Sequence, residues 1–455
     1  MKSFKLTIIL LLFILGSFPL ITRAQVQIRP LSLTGYEKRI KDFVDNMTVI
    51  DTHEHLVSPL TLKQRTSLDF MILLQGYSAA DIRSAGMPGK TFAMLLKDSL
   101  GIKEKWQILK PYFEASKNTA YLRVALHTAD KLFGVNDINE STIVSLSEKI
   151  SKAYQTDWID QVIKDKCKFD YLILDVDGKE TDRSFGNDRF LYVARFDNFI
   201  FINSKQLINS IAKQQNISIE TLDDFVNALE NAFAARKNGI VGIKTALAYN
   251  RILYFENVNK EKAQEVFNTI MNTPEGRLLS FADVKPLQDY MMHRVLDLAK
   301  VHNMPVQIHT GFTQTATNIG NTNPNHLINL FMEYPDVNFV LFHGSYPFAG
   351  DLSPIAKSCK NVYIDMCWLY VVSPSYSERY LHEWLETVPA NKIMAFGGDY
   401  FNIENIYGHL LLAKQVISRV LIDKVKDGYL SETEAINIAR MILHDNAVKL
   451  FKLSL

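Results

Sequence analysis

TVIDTHEH, residues 48–55, is a short apolar run that ends in two histidines one residue apart. In a strand, side chains two apart point to the same side, so the imidazoles of His53 and His55 can face one point. Seven later runs have the same form: FDYLILDV (169–176), FLYVARF (190–196), GIVGIKTAL (239–247), PVQIH (305–309), VNFVLFH (337–343), NVYIDM (361–366) and KIMAF (392–396). All are short, rich in Val, Ile, Leu and Phe, and without polar alternation. Strands buried on both faces of a parallel sheet read this way.

Helical patterns separate most of these runs. LDDFVNALENAFAA (222–235) precedes the fourth and stops at Asn238 and Gly239. Residues 287–302 precede the fifth, 324–334 the sixth and 376–388 the eighth. Strands alternating with helices imply parallel βαβ units, and eight of them imply an α/β fold of the (β/α)8 TIM-barrel type. No GxGxxG or GxxxxGK[ST] follows any strand, which removes the usual nucleotide site of an open doubly wound sheet. The segment from about residue 56 to 167 is too long for a loop and carries helical stretches such as IVSLSEKISKAY (143–154). It reads as a helical insertion after strand one. SETE (431–434) fits a capping box, and the amphipathic run after it to Phe451 predicts C-terminal helices on the barrel.

Of 455 residues, 47% are apolar and 22% charged, which excludes a disordered chain and a multi-span membrane protein. Lys plus Arg is 50 against 49 Asp plus Glu, so no global field favours nucleic acid or anionic lipid. Three cysteines without a CxxC exclude a disulfide framework and argue against a cysteine-based zinc site. Lys2 and Lys5, the apolar run 6–18, Pro19 and the small residue Ala24 have the layout of a secretory signal peptide over residues 1–24. The apolar run falls short of the roughly 20 residues that span a bilayer. The expectation is therefore a mature chain of residues 25–455, periplasmic or secreted, with no stable membrane span. The expected partner is a small-molecule substrate, not nucleic acid; a homo-oligomer is left open.

The polar residues on these strands carry the chemistry. His53 and His55 end strand one, Lys244 lies on strand four, His309 and His343 end strands five and six, and Asp399 follows strand eight. In a barrel those ends meet at one mouth. Three or four imidazoles and a carboxylate there suit a divalent cation, zinc first. Each residue alone has a plainer reading. His53 and His55 could be a satisfied core pair, and His309 structural. His343 precedes Gly344 and Ser345, so it could serve a turn. Asp399 follows two glycines, which a structural Asp also favours. Their agreement in position favours the site. Arg251 and Tyr249, just past strand four, are candidates for substrate binding. An arginine there could clamp a carboxylate with two hydrogen bonds, or sit at a surface or interface. Trp368 and Tyr370 past strand seven either stack on a substrate ring or wall the cleft.

His53, His55, Lys244, His309, His343 and Asp399, in strand order one, four, five, six and eight, resemble the amidohydrolase superfamily of metal-dependent barrel hydrolases. GIKTALAYNR (242–251), HTGF (309–312), YPDVNFVLFHGSYPF (334–348), FGGDYF (396–401) and DNAVKLF (445–451) are similar to the branch that includes the amidohydrolase half of fungal FluG-type and plant nodulin-like proteins. The resemblance implies one or two divalent ions that lower the pKa of a water from 15.7 towards roughly 7. It implies His53, His55 and Asp399 as ligands, with Asp399 also carrying the proton of the attacking water. It implies His343 as a catalytic group or second-metal ligand, and Lys244 as a bridging ligand if carboxylated. In a one-metal form His309 completes the set, and the reading leans slightly to that form. The implied function is hydrolysis of an amide, lactone or related C–N or C–O bond in a small molecule, with or without a carboxylate. The alternatives are a non-hydrolytic member of the fold (uronate isomerase-like, a decarboxylase or a hydratase) and a metal-retaining binding protein without turnover.

Overall fold

The computed structural model describes residues 35–57, 68–175, 188–315 and 317–454. The expected signal peptide lies outside these residues.

Eight parallel strands follow one another around a single sheet in chain order. They are β1 (Val49–Glu54), β2 (Phe169–Asp175), β3 (Phe190–Arg195), β4 (Gly242–Thr245), β5 (Val306–Ile308), β6 (Phe339–Leu341), β7 (Val362–Asp365) and β8 (Ile393–Met394). Each falls within or on one of the eight apolar runs. Their side chains are nearly all buried, as a sheet covered on both faces requires. Closure comes from backbone hydrogen bonds between β1 and the chain just past β8. Thr52 N donates to Phe396 O (3.1 Å), Asp399 N to His53 O (2.9 Å) and His55 N to Tyr400 O (3.1 Å). The same three bonds therefore close the barrel and bring Asp399 beside the two β1 histidines.

The segment between β1 and β2 is helical where described, with helices at Tyr77–Ser84, Gly89–Leu95, Ile102–Ser116, Ala120–Phe133 and Ile143–Ala153. It docks on the long helix Ile403–Lys426. Thr128 Oγ1 donates to Glu404 O (3.2 Å), and the Asn405 side chain donates to Leu73 O (3.0 Å). The helices approach closely there: a Cβ on Gly408 would stand 2.2 Å from Thr128 Oγ1. At the C-terminus the capping box forms as expected, with Ser431 and Glu434 each taking the other's backbone N–H. Asn446 then donates to Ala390 O and Ile393 O, tying this end to β8. Among the described residues no helix is long and apolar enough to cross a membrane.

Candidate metal centre

The two β1 imidazoles converge. His53 Nε2 and His55 Nε2 are 3.3 Å apart. Asp399 Oδ1 lies 3.2 Å from His55 Nε2 and 3.6 Å from His53 Nε2. His55 Nδ1 faces Asp175 O at 2.9 Å. A carbonyl oxygen only accepts, so His55 Nδ1 carries a hydrogen and Nε2 is turned towards Asp399, as a donor when protonated and as a ligand when not. With Nε2 of both histidines unprotonated, three acceptor atoms meet at one point, which is a seat for a cation. Ligand atoms about 2.0–2.1 Å from a tetrahedral ion stand roughly 3.3–3.4 Å from one another. The observed triangle has those dimensions, so these residues fit a divalent cation. His53 Nδ1, on the far side of its ring, is buried without a hydrogen-bond partner.

Asp399 sits five residues past β8 in a left-handed conformation (φ 59°), which is costly for a non-glycine residue and common at working sites. The buried carboxylates of β1 hold it there. Asp51 Oδ1 accepts from the N–H groups of His53 (3.2 Å) and Gly398 (3.1 Å), and Glu54 Oε2 accepts from Tyr400 N (2.8 Å). Only glycine fits at 398, because a Cβ would come within 1.8 Å of Glu54 Oε1. Burial pushes the Asp51 and Glu54 carboxyls up. Burial would raise Asp399 too. The hydrogen bond and charge of His55, with the charges of His343 and Lys244, outweigh it and hold the Asp399 carboxyl well below the usual range.

His309 and His343 form a second pair. His309 Nε2 faces Phe312 O and His343 Nδ1 faces Cys367 O, both at 2.9 Å. Each ring hydrogen is thereby committed to a carbonyl, and His309 Nδ1 and His343 Nε2 meet at 3.0 Å. Burial lowers both imidazoles, His343 to about 4. His309 lines the mouth cavity, and His343 stands behind it in a left-handed turn (φ 63°). His343, Cys367 and Asp399 offer ligand atoms within 4.8 Å of one another, so one cysteine does lie beside the centre.

The cavity measures about 420 Å³ and is lined by the metal cluster together with Tyr77, Arg195, Asp197, Lys244, Tyr249 and Gln314. Lys244 is buried, its Nζ 3.5 Å from the centroid of the Phe342 ring, a seat that suits an ammonium. Burial lowers it to about 8, against the pull of Asp175 and Asp399. Tyr249 faces the cavity as expected. Arg251 does not. Its guanidinium is fully buried and saturated by Asp289 Oδ1 (2.5 Å), Gln288 Oε1 (3.0 Å) and Tyr254 O (3.0 Å). The substrate clamp expected there is thus a structural ion pair that anchors the loop after β4 to helix Phe281–Val301. Arg251→Met is expected to lower stability by roughly 1–3 kcal/mol, because Asp289 Oδ1 loses its donor while Lys285 and Glu256 N still serve Oδ2. Denaturant unfolding would show the loss, and metal content of the folded fraction should stay unchanged.

Several site residues escaped the sequence reading. Asp175 and Arg195 end β2 and β3, and Asp197 follows β3; Arg195 donates through Nε (2.8 Å) and Nη2 (2.5 Å) to Asp175 Oδ2. The signal was present, since both residues are polar ends of apolar runs. Tyr77 reaches the cavity from the insertion. Trp368 and Tyr370 are buried instead of facing substrate. Trp368 stacks on Phe312 and packs against Tyr77, and Tyr370 bonds Ala395 O.

Comparison with known proteins bears on the family and the fold. Residues 273–453 match the family model described as Amidohydrolase. The fluG protein of Emericella nidulans is 29% identical over 223 residues, 47% of this chain and 26% of that protein. The chain thus spans about a quarter of that relative's length. Among solved structures, uronate isomerase from Thermotoga maritima has a TM-score of 0.77 at 17% identity, covering 91% of this chain and 97% of that one. Glucuronate isomerase from Caulobacter crescentus has a TM-score of 0.76 at 15% identity, covering 92% and 94%. A Lactobacillus casei protein described as a metal-dependent hydrolase has a TM-score of 0.63 at 20% identity, covering 91% and 97%. At these identities the structures share the fold. Taken together, the match over residues 273–453 and the fluG relative show a likeness to the amidohydrolase superfamily, and the solved structures share its barrel fold.

Proposed function

We propose that the chain is a metal-dependent hydrolase that cleaves an amide, lactone or related C–N or C–O bond of a small molecule. The observation that carries this reading is the triangle of acceptor atoms from His53, His55 and Asp399, with edges of 3.2, 3.3 and 3.6 Å. A divalent ion held there, zinc first by its donor set, supplies Lewis acidity and a water that ionises near neutral pH. The chain's own residues do the rest. Asp399, kept ionised, accepts the proton of the attacking water and returns it to the leaving group. His55 is fixed by Asp175 O so that Nε2 faces inward. Lys244, as an ammonium on Phe342, draws an anionic substrate into the cavity. His309 presents its ring to the substrate, and His343 keeps that ring in place. Export by the N-terminal segment belongs to the same proposal and would set this chemistry outside the cytoplasm.

An isomerase reading of the same site has its own support. The likeness to the Thermotoga maritima uronate isomerase spans 91% of this chain, too much to leave out the helical insertion. One experiment separates the readings. Metal-reconstituted protein is offered N-acyl amino acids, γ-glutamyl amides, lactones and uronates, and products are followed by mass. Hydrolysis adds one water to the substrate, whereas isomerisation leaves the mass unchanged. Turnover that requires the metal and adds water is expected. Turnover that persists after chelation contradicts the proposal.

A further inference from the structure

We propose that Asp175 is a further ligand of the cation, so that His53, His55, Asp175 and Asp399 form its donor set. This rests on the metal reading above and deepens it.

Asp175 closes β2, and its side chain is fully buried. Its backbone oxygen accepts from His55 Nδ1 at 2.9 Å, so the residue that orients this ligand also brings a carboxylate to the same place. An Asp175 oxygen and the ring nitrogens of His53 and His55 all lie within 4.8 Å of one another. Asp175 Oδ2 is 3.9 Å from His53 Nε2. Ligand atoms on one small divalent ion are separated by roughly 3.3–3.4 Å along a tetrahedral edge and by at most about 4.2 Å across the ion, so the observed spacing lies within reach of one centre.

The carboxylate has unused capacity. Oδ2, the oxygen 3.9 Å from His53 Nε2, takes both N–H groups from Arg195, while the other oxygen, Oδ1, is buried with no hydrogen-bond partner. A buried carboxylate oxygen without a donor is an unsatisfied acceptor, and a cation satisfies it. His309 pairs with His343: its Nε2 faces Phe312 O and its Nδ1 faces His343 Nε2. Arg195 holds the Asp175 carboxylate in position from the cavity side. It acts as a positioning residue for the ligand.

The competing role for Asp175 is counter-ion to Arg195 and nothing more. Zinc affinity of metal-stripped protein, measured by competition with a chromophoric chelator, separates the two for wild type, Asp175→Asn and Arg195→Met. Asp175→Asn is expected to weaken zinc binding at least about 100-fold, because an amide oxygen is a poor substitute for a charged ligand. Arg195→Met should weaken binding less than Asp175→Asn, by about 10-fold, since the ligand remains and loses only its positioning partner. Equal weakening in both variants, or near-wild-type affinity in Asp175→Asn, overturns the assignment. Wild type that binds no zinc overturns the metal reading itself. Should Asp175→Asn not fold, zinc-loaded wild-type crystals decide: an Asp175 oxygen about 2.0–2.2 Å from the ion supports the proposal. A water in its place refutes it.

Discussion

Asp399→Asn should give a folded protein that binds metal more weakly and, when loaded with excess metal, still loses turnover by at least the roughly 10²–10⁴-fold typical of a general acid–base group. Asparagine tolerates left-handed backbone, so the φ of 59° at this position is not the obstacle. Its side-chain oxygen can still face the cation. What it lacks is the ability to accept a proton from the attacking water. The wild-type carboxyl is suited to that task because His55, His343 and Lys244 keep it ionised despite burial. Steady-state rates on the substrate found by the screen, paired with metal content, check the expectation. Near-normal turnover in folded, metal-loaded Asp399→Asn would remove the assigned role.

His53→Ala and His55→Ala should each lower metal affinity by at least about 100-fold and abolish activity in step. Each removes one corner of the acceptor triangle. Circular dichroism should show that the barrel survives, since β1 pairs with β2 through its backbone. Activity that falls while bound metal stays constant would mean that the two histidines act on substrate and not as ligands.

The barrel was legible because strands buried on both faces leave continuous apolar runs, and all eight runs contain a strand. The structure trims them. β8 is only Ile393–Met394, because the chain after it turns to run along β1 and deliver Asp399. His53 and His55 were legible because a period of two sets both on one side of a strand. Arg251 was misread. Its nearness in sequence to Lys244 says nothing about which way the loop turns, and its partner Asp289 comes from a helix 38 residues further on. Asp175 and Arg195 stand at the polar ends of apolar runs, but only the pairing of β2 with β3 brings the two charges together at the site. Tyr77 had no signal of that kind, because only the folding of the insertion brings its ring to the mouth. The commitment of the His309 and His343 hydrogens to Phe312 O and Cys367 O was likewise invisible, since backbone carbonyls carry no sequence signature.

Titration of metal-stripped wild-type protein with zinc, followed calorimetrically, tests the central claim most directly. The account predicts one tight site per chain, filled before any weaker binding, with activity rising in proportion to that first equivalent. Two equally tight ions per chain would mean that Lys244 and the His309–His343 pair form a second centre, and no tight binding at all would mean that the acceptor triangle is not a metal site.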